Sequence, residues 1–224
     1  MMKQRIFFFL FLSFFTLQSF KIKTSIPING TDSKASYLSD KFHINSDAIR
    51  LAITGYERLK SLGKLTNLRY LTIADFSKPS SQERFYIIDM ENEVLLMQTL
   101  VAHGRNSGML FAKYFSNQAA SFQSSLGFYV TGNPYKGKHG TSLELNGVEQ
   151  GINNKAQQRA IVLHGADYVS SKFVQQQGYL GRSLGCPAVP MNQVKDIINI
   201  IKGASCLFVY AANNKYLNTS SLVH

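Results

Sequence analysis

Acidic side chains are scarce in this 224-residue chain: 13 Asp and Glu stand against 24 Lys and Arg, for a formal net charge of +11. A surface so short of carboxylates attracts polyanions such as nucleic acid, anionic lipid or an anionic wall polymer, and the charge alone does not choose among them. No run of Lys or Arg is dense enough to form a nucleic-acid arm, so nucleic acid is set aside as a partner. Cysteine is scarcer still. Two residues, Cys186 and Cys206, exclude a multi-bridge scaffold and leave at most one pairing. No Cys-x-x-Cys or His-x-x-x-His pair occurs, although His103, His139, His164 and Cys186 all fall in the body of the chain. Without a close ligand pair no metal site is expected. Internal repeats are absent, and oligomeric state leaves no trace in the sequence.

What is present reads as one globular domain. Apolar residues make up 45% and charged residues 17%, enough to build a sizeable core in a chain of this length. Lys3 and Arg5 precede an apolar run from Ile6 to Leu17. A short basic stretch followed by a compact apolar one resembles a secretory signal peptide, here over residues 1–19. The run falls short of the ~20 apolar residues of a comfortable membrane span. It has no clean small-x-small cleavage site, so an uncleaved anchor is the competing reading.

Residues 20–44 are polar and irregular and are read as a linker, residues 45–212 as the folded domain, and residues 213–224 as a polar, mobile tail. Asn45, Ser46 or Asp47 caps a helix whose apolar positions Ile49, Ala52, Ile53, Tyr56 and Leu59 recur at helical spacing, with Gly63 as its stop. Strands are expected over Tyr70–Phe76, Arg84–Met90, Glu93–Ala102, Leu126–Thr131, Ser142–Leu145, Ala160–Leu163 and Cys206–Ala211. Met191–Lys202 reads as a second helix. The fold class is mostly β, with one helix in front and one near the C-terminus.

Two segments carry the candidate chemistry, IVLHGADYVS (Ile161–Ser170) and GRSLGCPAVP (Gly181–Pro190). The first is an apolar strand that breaks at His164-Gly165. The second sets Cys186 between Gly185 and Pro187 in a loop without apolar periodicity. A free thiol is mostly protonated near neutral pH, and an adjacent imidazole can take its proton. His164 lies 22 positions before Cys186, far enough for an intervening excursion to bring the two together. The Gly165 carbonyl is a candidate to orient the imidazole, and the N–H groups of Gly185 and Cys186 are candidates for an oxyanion hole. Competing readings are an inert Cys186, a Cys186–Cys206 disulfide, and a histidine that bonds only a neighbouring carbonyl. Cys206, in Ala-Ser-Cys-Leu-Phe-Val-Tyr, fits a core strand.

The pair HGA…GRSLGCPA resembles the L,D-transpeptidase catalytic domain (YkuD-like), and more closely its murein L,D-transpeptidase branch. His164, Gly165, Ser183, Gly185 and Cys186 match the two halves of the family's motif, and SSLGFYVTG (Ser124–Gly132) is similar to its Thr-Pro-x-Gly-x-Phe segment. Leu184 stands where the wider family has His, while the murein branch reads Gly-Arg-Ser-x-Gly-Cys-Pro-Ala. The resemblance covers residues 68–211. It implies a YkuD-type β-sandwich and a cysteine-dependent acyltransferase on peptidoglycan stem peptides, with no cofactor and no metal. Cys186, His164, Gly165 and Gly185 are the implied catalytic set, and the implied product is a 3→3 cross-link formed through a Cys186 thioester. It also implies a place in the periplasm or cell envelope.

Arg182, Ser183 and His139 are the candidate substrate-binding residues. Arg182 can pair with a stem-peptide carboxylate or make a structural ion pair. His139 sits in the basic Tyr135–Gly140 stretch, a solvated hairpin tip or a flap over the site. His103 to Asn106 is a further candidate wall of the cleft. Rival functions are an L,D-carboxypeptidase that uses water, a non-catalytic cell-wall-binding module and a metal-dependent peptidase.

Overall fold

The computed structural model of the chain describes residues 30–138 and 140–224. The expected signal segment and His139 lie outside the described residues. From residue 30 the expected linker is instead a helix, α1 (Gly30–Phe42). Its apolar stripe is narrow, with Ala35 and Leu38 buried, and it holds by docking. Lys34 pairs with Glu93 at 3.0 Å and Lys41 donates to the Glu93 carbonyl at 2.8 Å. The second helix, α2 (Ser46–Ser61), begins where Asn45 Oδ1 accepts the Ala48 N–H at 3.0 Å. That bond satisfies one of the orphan donors of the first turn. A Cβ on Gly55 would lie 2.0 Å from the Phe128 ring, so this mid-helix glycine exists to let the helix reach the sheet.

The strands are β1 (Tyr70–Asp75), β2 (Phe85–Asp89), β3 (Val94–Thr99), β4 (Gly127–Gly137), β5 (Gly140–Gly147), β6 (Val162–Ala166), β7 (Ala188–Pro190) and β8 (Cys206–Tyr210). They form one sheet in the order β3-β2-β1-β8-β4-β5-β6-β7. β2 and β8 are buried along their whole length, which explains their unbroken Ile, Val, Leu and aromatic runs. Phe128 and Phe208 stack at 4.2 Å between centroids at the centre of this core.

The sheet closes on itself. Beyond β3, the Ala102 N–H donates to the Ala188 carbonyl at 2.8 Å and the Ala188 N–H returns the bond at 3.3 Å. The opposed faces of the expected sandwich are therefore parts of one barrel-like sheet, and the closure seam carries β7. Pro190, which lacks an N–H, suits this three-residue strand. A short helix, α3 (Ser171–Gln177), lies in the excursion between β6 and β7. The helix α4 (Val194–Ile201) follows β7 and buries Val194, Ile197, Ile198 and Ile201.

Residues 213–224 are not a mobile tail. They contain α5 (Asn214–Thr219), and Tyr216, Leu222 and Val223 are buried. Ser220 Oγ donates to Glu149 Oε1 and Arg58 donates to the Ser221 carbonyl. Among the described residues no helix is long and apolar enough to cross a membrane.

Candidate active site

His164 lies inside β6, not at its end, and pairs with Ala188 of β7 in parallel register. Cys186 is two residues before Ala188, in the bend that leads into β7, and its sulfur lies against the backbone of Ala160 and Val162. The ring and the sulfur open into one cavity of about 290 Å³. His164 Nδ1 is 2.9 Å from the Gly165 carbonyl. A carbonyl only accepts, so Nδ1 carries the hydrogen and the lone pair of the neutral ring is on Nε2. Gly165 is close-packed from behind: a Cβ there would come within 2.9 Å of Val194 Cγ1 and 3.0 Å of Met191 Sδ.

The Cys186 sulfur accepts the Val162 N–H at 3.5 Å and donates to the Ala160 carbonyl at 3.6 Å. Ala160 itself has φ +52, in the left-handed region. Burial pushes the Cys186 thiol up, while the Val162 N–H, Arg159, Lys138 and its own N–H pull it down. With burial dominant the resting sulfur is a thiol, and thiolate forms when a base takes the proton. Both cysteines are free, so the structural disulfide is ruled out. Cys206 is sealed on β8, where burial drives its thiol strongly upward.

A family model for the L,D-transpeptidase catalytic domain matches residues 40–210. The chain belongs to that family. Among solved structures it is similar to an L,D-transpeptidase from Mycobacterium smegmatis, at 13% identity over 64% of this chain and 59% of that one, with a TM-score of 0.39. It is also similar to an L,D-transpeptidase from Mycobacterium tuberculosis H37Rv, at 11% identity over 64% and 58% of the two chains, with a TM-score of 0.41. A third is the helical cell shape determining protein Pgp2 from Campylobacter jejuni, at 11% identity over 72% and 57%, with a TM-score of 0.42. The chain thus spans less than two thirds of the length of each of these. No curated protein matches it.

Several expected roles shift within this L,D-transpeptidase domain. The Gly185 N–H does not face the cavity; it donates to Ser183 Oγ at 3.1 Å. Gly185 has φ +126, a conformation that favours glycine, and it turns the peptide toward Ser183. Ser183 is 5% exposed, and its hydroxyl also donates to the Cys186 carbonyl at 2.6 Å. Ser183 is therefore a brace of the Cys186 loop, and of the two N–H groups expected to face an oxyanion that of Gly185 is already engaged. Arg182 lines the cavity and donates through Nη1 to the carbonyls of Arg105 and Gly108, each at 3.2 Å.

His103 is buried and lines no cleft. Its Nδ1 accepts from Arg84 at 2.8 Å, and its Nε2 lies 3.2 Å from the Gly108 carbonyl. Because arginine only donates, His103 is neutral with its proton on Nε2. Burial first, and the Arg84 charge second, lower its pKa from 6.5 to about 4. Among the described residues no group of three or more His, Cys, Asp or Glu side chains could hold a metal.

Two cavity residues lay outside the sequence expectations. Tyr168 lines the wall beside Cys186, and a Cβ on Gly181 would press on it at 2.4 Å. Arg159 lines the floor, five positions before His164. It is the lone charge next to a buried apolar strand in RAIVLHG, and that isolation was its signal.

Proposed function

We propose that the protein is a cysteine-dependent acyltransferase that forms 3→3 cross-links between peptidoglycan stem peptides. The observation that carries this reading is the cavity shared by Cys186 and His164, in a chain of the L,D-transpeptidase family. Its lining holds three cations, Lys138, Arg159 and Arg182, and no Asp or Glu. Such a lining favours a substrate rich in carboxylates, as a stem peptide is.

His164 Nε2 takes the Cys186 proton, and the sulfur attacks the carbonyl at the L-centre of the third stem residue. The Cys186 N–H supports the developing oxyanion. His164 returns the proton to the amine of the departing terminal D-amino acid, leaving a thioester. An amine of a second stem then attacks the thioester, His164 accepts its proton, and Cys186 is regenerated as a thiol. We also place the protein outside the cytoplasmic membrane, in the periplasm or cell envelope. The basic N-terminal segment with its apolar run supports export, and the +11 charge suits an anionic wall.

Incubation with a disaccharide tetrapeptide tests the reading, with products resolved by mass. Cross-linked dimers and free terminal D-amino acid are expected. Tripeptide without dimers would make water the acceptor and the enzyme an L,D-carboxypeptidase. No conversion by folded protein would leave a wall-binding module.

A further inference from the structure

Arg159 is half-buried, and both terminal nitrogens of its guanidinium are engaged with one loop. Nη1 donates to the Ser116 carbonyl at 2.7 Å and to Ser125 Oγ, and Nη2 donates to the Gln123 carbonyl at 2.7 Å and Ser121 Oγ at 3.1 Å. All four acceptors are neutral. No carboxylate pairs with Arg159 among the described residues. A guanidinium has five N–H donors, so a single one, on Nε, is left for a substrate. Its bonds serve the 116–125 loop, and its charge serves whatever lies beside it.

What lies beside it is the nucleophile loop. A Cβ on Gly185 would be 3.4 Å from Arg159 Nη2 and 2.9 Å from the Gln123 carbonyl. The loop that holds Arg159 also holds Gly185, because Ser124 Oγ donates to the Gly185 carbonyl at 3.0 Å. Arg159 and Cys186 line the same cavity. Burial lowers the hold of Arg159 on its own proton, and Tyr129 and then Cys186 oppose this. A charge without an acidic partner among the described residues, fixed by four bonds and lining the same cavity as the sulfur, is placed to complement an anion formed there.

We propose that Arg159 is a positioning residue whose fixed, unpaired charge stabilises the Cys186 thiolate once His164 has taken the proton. This rests on Cys186 being the nucleophile proposed above. Other titratable groups also face the sulfur: Lys138 on the β4–β5 hairpin, His164 on β6, Arg182 on the nucleophile loop, and Tyr129 and Tyr168. A comparison of variants at residue 159 holds all of them constant.

The test is the pH dependence of Cys186 alkylation by iodoacetamide, read by peptide mass on the full chain, with Tm recorded for each variant. Arg159→Gln should move the midpoint of the rate profile up by about one pH unit or more. Arg159→Lys keeps the charge and loses part of the hydrogen bonding, so its midpoint should stay within about half a unit of wild type while its Tm falls. A purely structural residue would lower Tm in both and leave both midpoints in place, and that result overturns the proposal. If Arg159→Gln does not fold, the Ser121→Ala/Ser125→Ala double variant takes its place. It loosens the guanidinium, and an unmoved midpoint there has the same meaning. Alkylation needs no stem peptide. A shifted midpoint in a protein that transfers no acyl group would therefore fault the proposed function and leave the role of Arg159 intact.

Discussion

Two thiols in one chain show how much of cysteine chemistry is environment. Cys206 sits on β8 with none of its surface exposed, inside the core built around the Phe128–Phe208 stack. Cys186 is half-buried on a glycine-turned loop, open to a cavity that also holds an imidazole and three cations. The sealed thiol has no approach path, and burial first, with the Glu149 charge second, pushes it up. The open one is also pushed up by burial, but opposing groups converge on it: the Val162 N–H, Arg159 and Lys138. Under the proposed mechanism, this thiol reacts once His164 has taken its proton.

The largest effect that could break this contrast is on turnover. Cys186→Ala should lower acyl transfer by at least about a thousandfold, whereas Cys206→Ala should leave it within a few-fold of wild type. Steady-state product formation measures both, and equal losses would mean that the two thiols had been wrongly separated.

Acid should act on the two regions with opposite sign. His103 underlies the Cys186 loop, since its carbonyl accepts the Ser183 N–H at 3.0 Å. Its pKa falls from 6.5 to about 4 on folding, so the unfolded chain binds more protons between those values. Stability from this group is present above pH 6.5 and is lost as pH falls toward 4, by about 3 kcal/mol. Glu149, beside the Cys206 half, is raised by burial, so its contribution is present at low pH and fades as pH rises. His103→Gln can keep both hydrogen bonds without titrating. Denaturant unfolding at pH 7 and pH 4 should show the wild type losing about 3 kcal/mol more than the variant over that interval.

Smaller effects sharpen the contrast from each side. Gly55→Ala improves helix propensity by ~1 kcal/mol, yet its methyl would meet Phe128 in the sealed half. The net should be a loss of about 1–3 kcal/mol, with activity per folded molecule unchanged. Ser183→Ala removes the bonds to the Cys186 carbonyl and the Gly185 N–H. It should cost about 1 kcal/mol of stability and roughly tenfold in kcat, because the oxyanion donor and sulfur lose their alignment. A Gly55→Ala protein as impaired in catalysis as Ser183→Ala would show that the halves are not separable.

Legibility in the sequence divides along the same line. The core strands were readable because burial on both faces demands continuous Ile, Val, Leu and aromatic runs, as in β2 and β8. Helices α1 and α5 were not, because Ser, Asp, Asn and Lys dominate them and few side chains face inward; they are held by docking onto Glu93 and Glu149. Strand β7 is three residues long and exists only through its partners β6 and Ala102. In the site, residue types and spacing pointed to Cys186, His164 and the Gly165 carbonyl, which the fold places within one neighbourhood. The direction of the Gly185 peptide could not be read, since a φ of +126 turns its N–H onto Ser183. Nor could the role of Arg159, whose partners lie about forty residues upstream in a loop without periodicity.

The central claim is that the Cys186 sulfur becomes acylated by a stem peptide with His164 as its base. Acid-quenching the protein with a disaccharide tetrapeptide and mapping the adduct by mass tests it directly. The account predicts a thioester on the peptide containing Cys186, matched by release of one terminal D-amino acid, and no adduct in Cys186→Ala or at neutral pH in His164→Ala. An adduct on Cys206, or conversion that persists in Cys186→Ala, would contradict it.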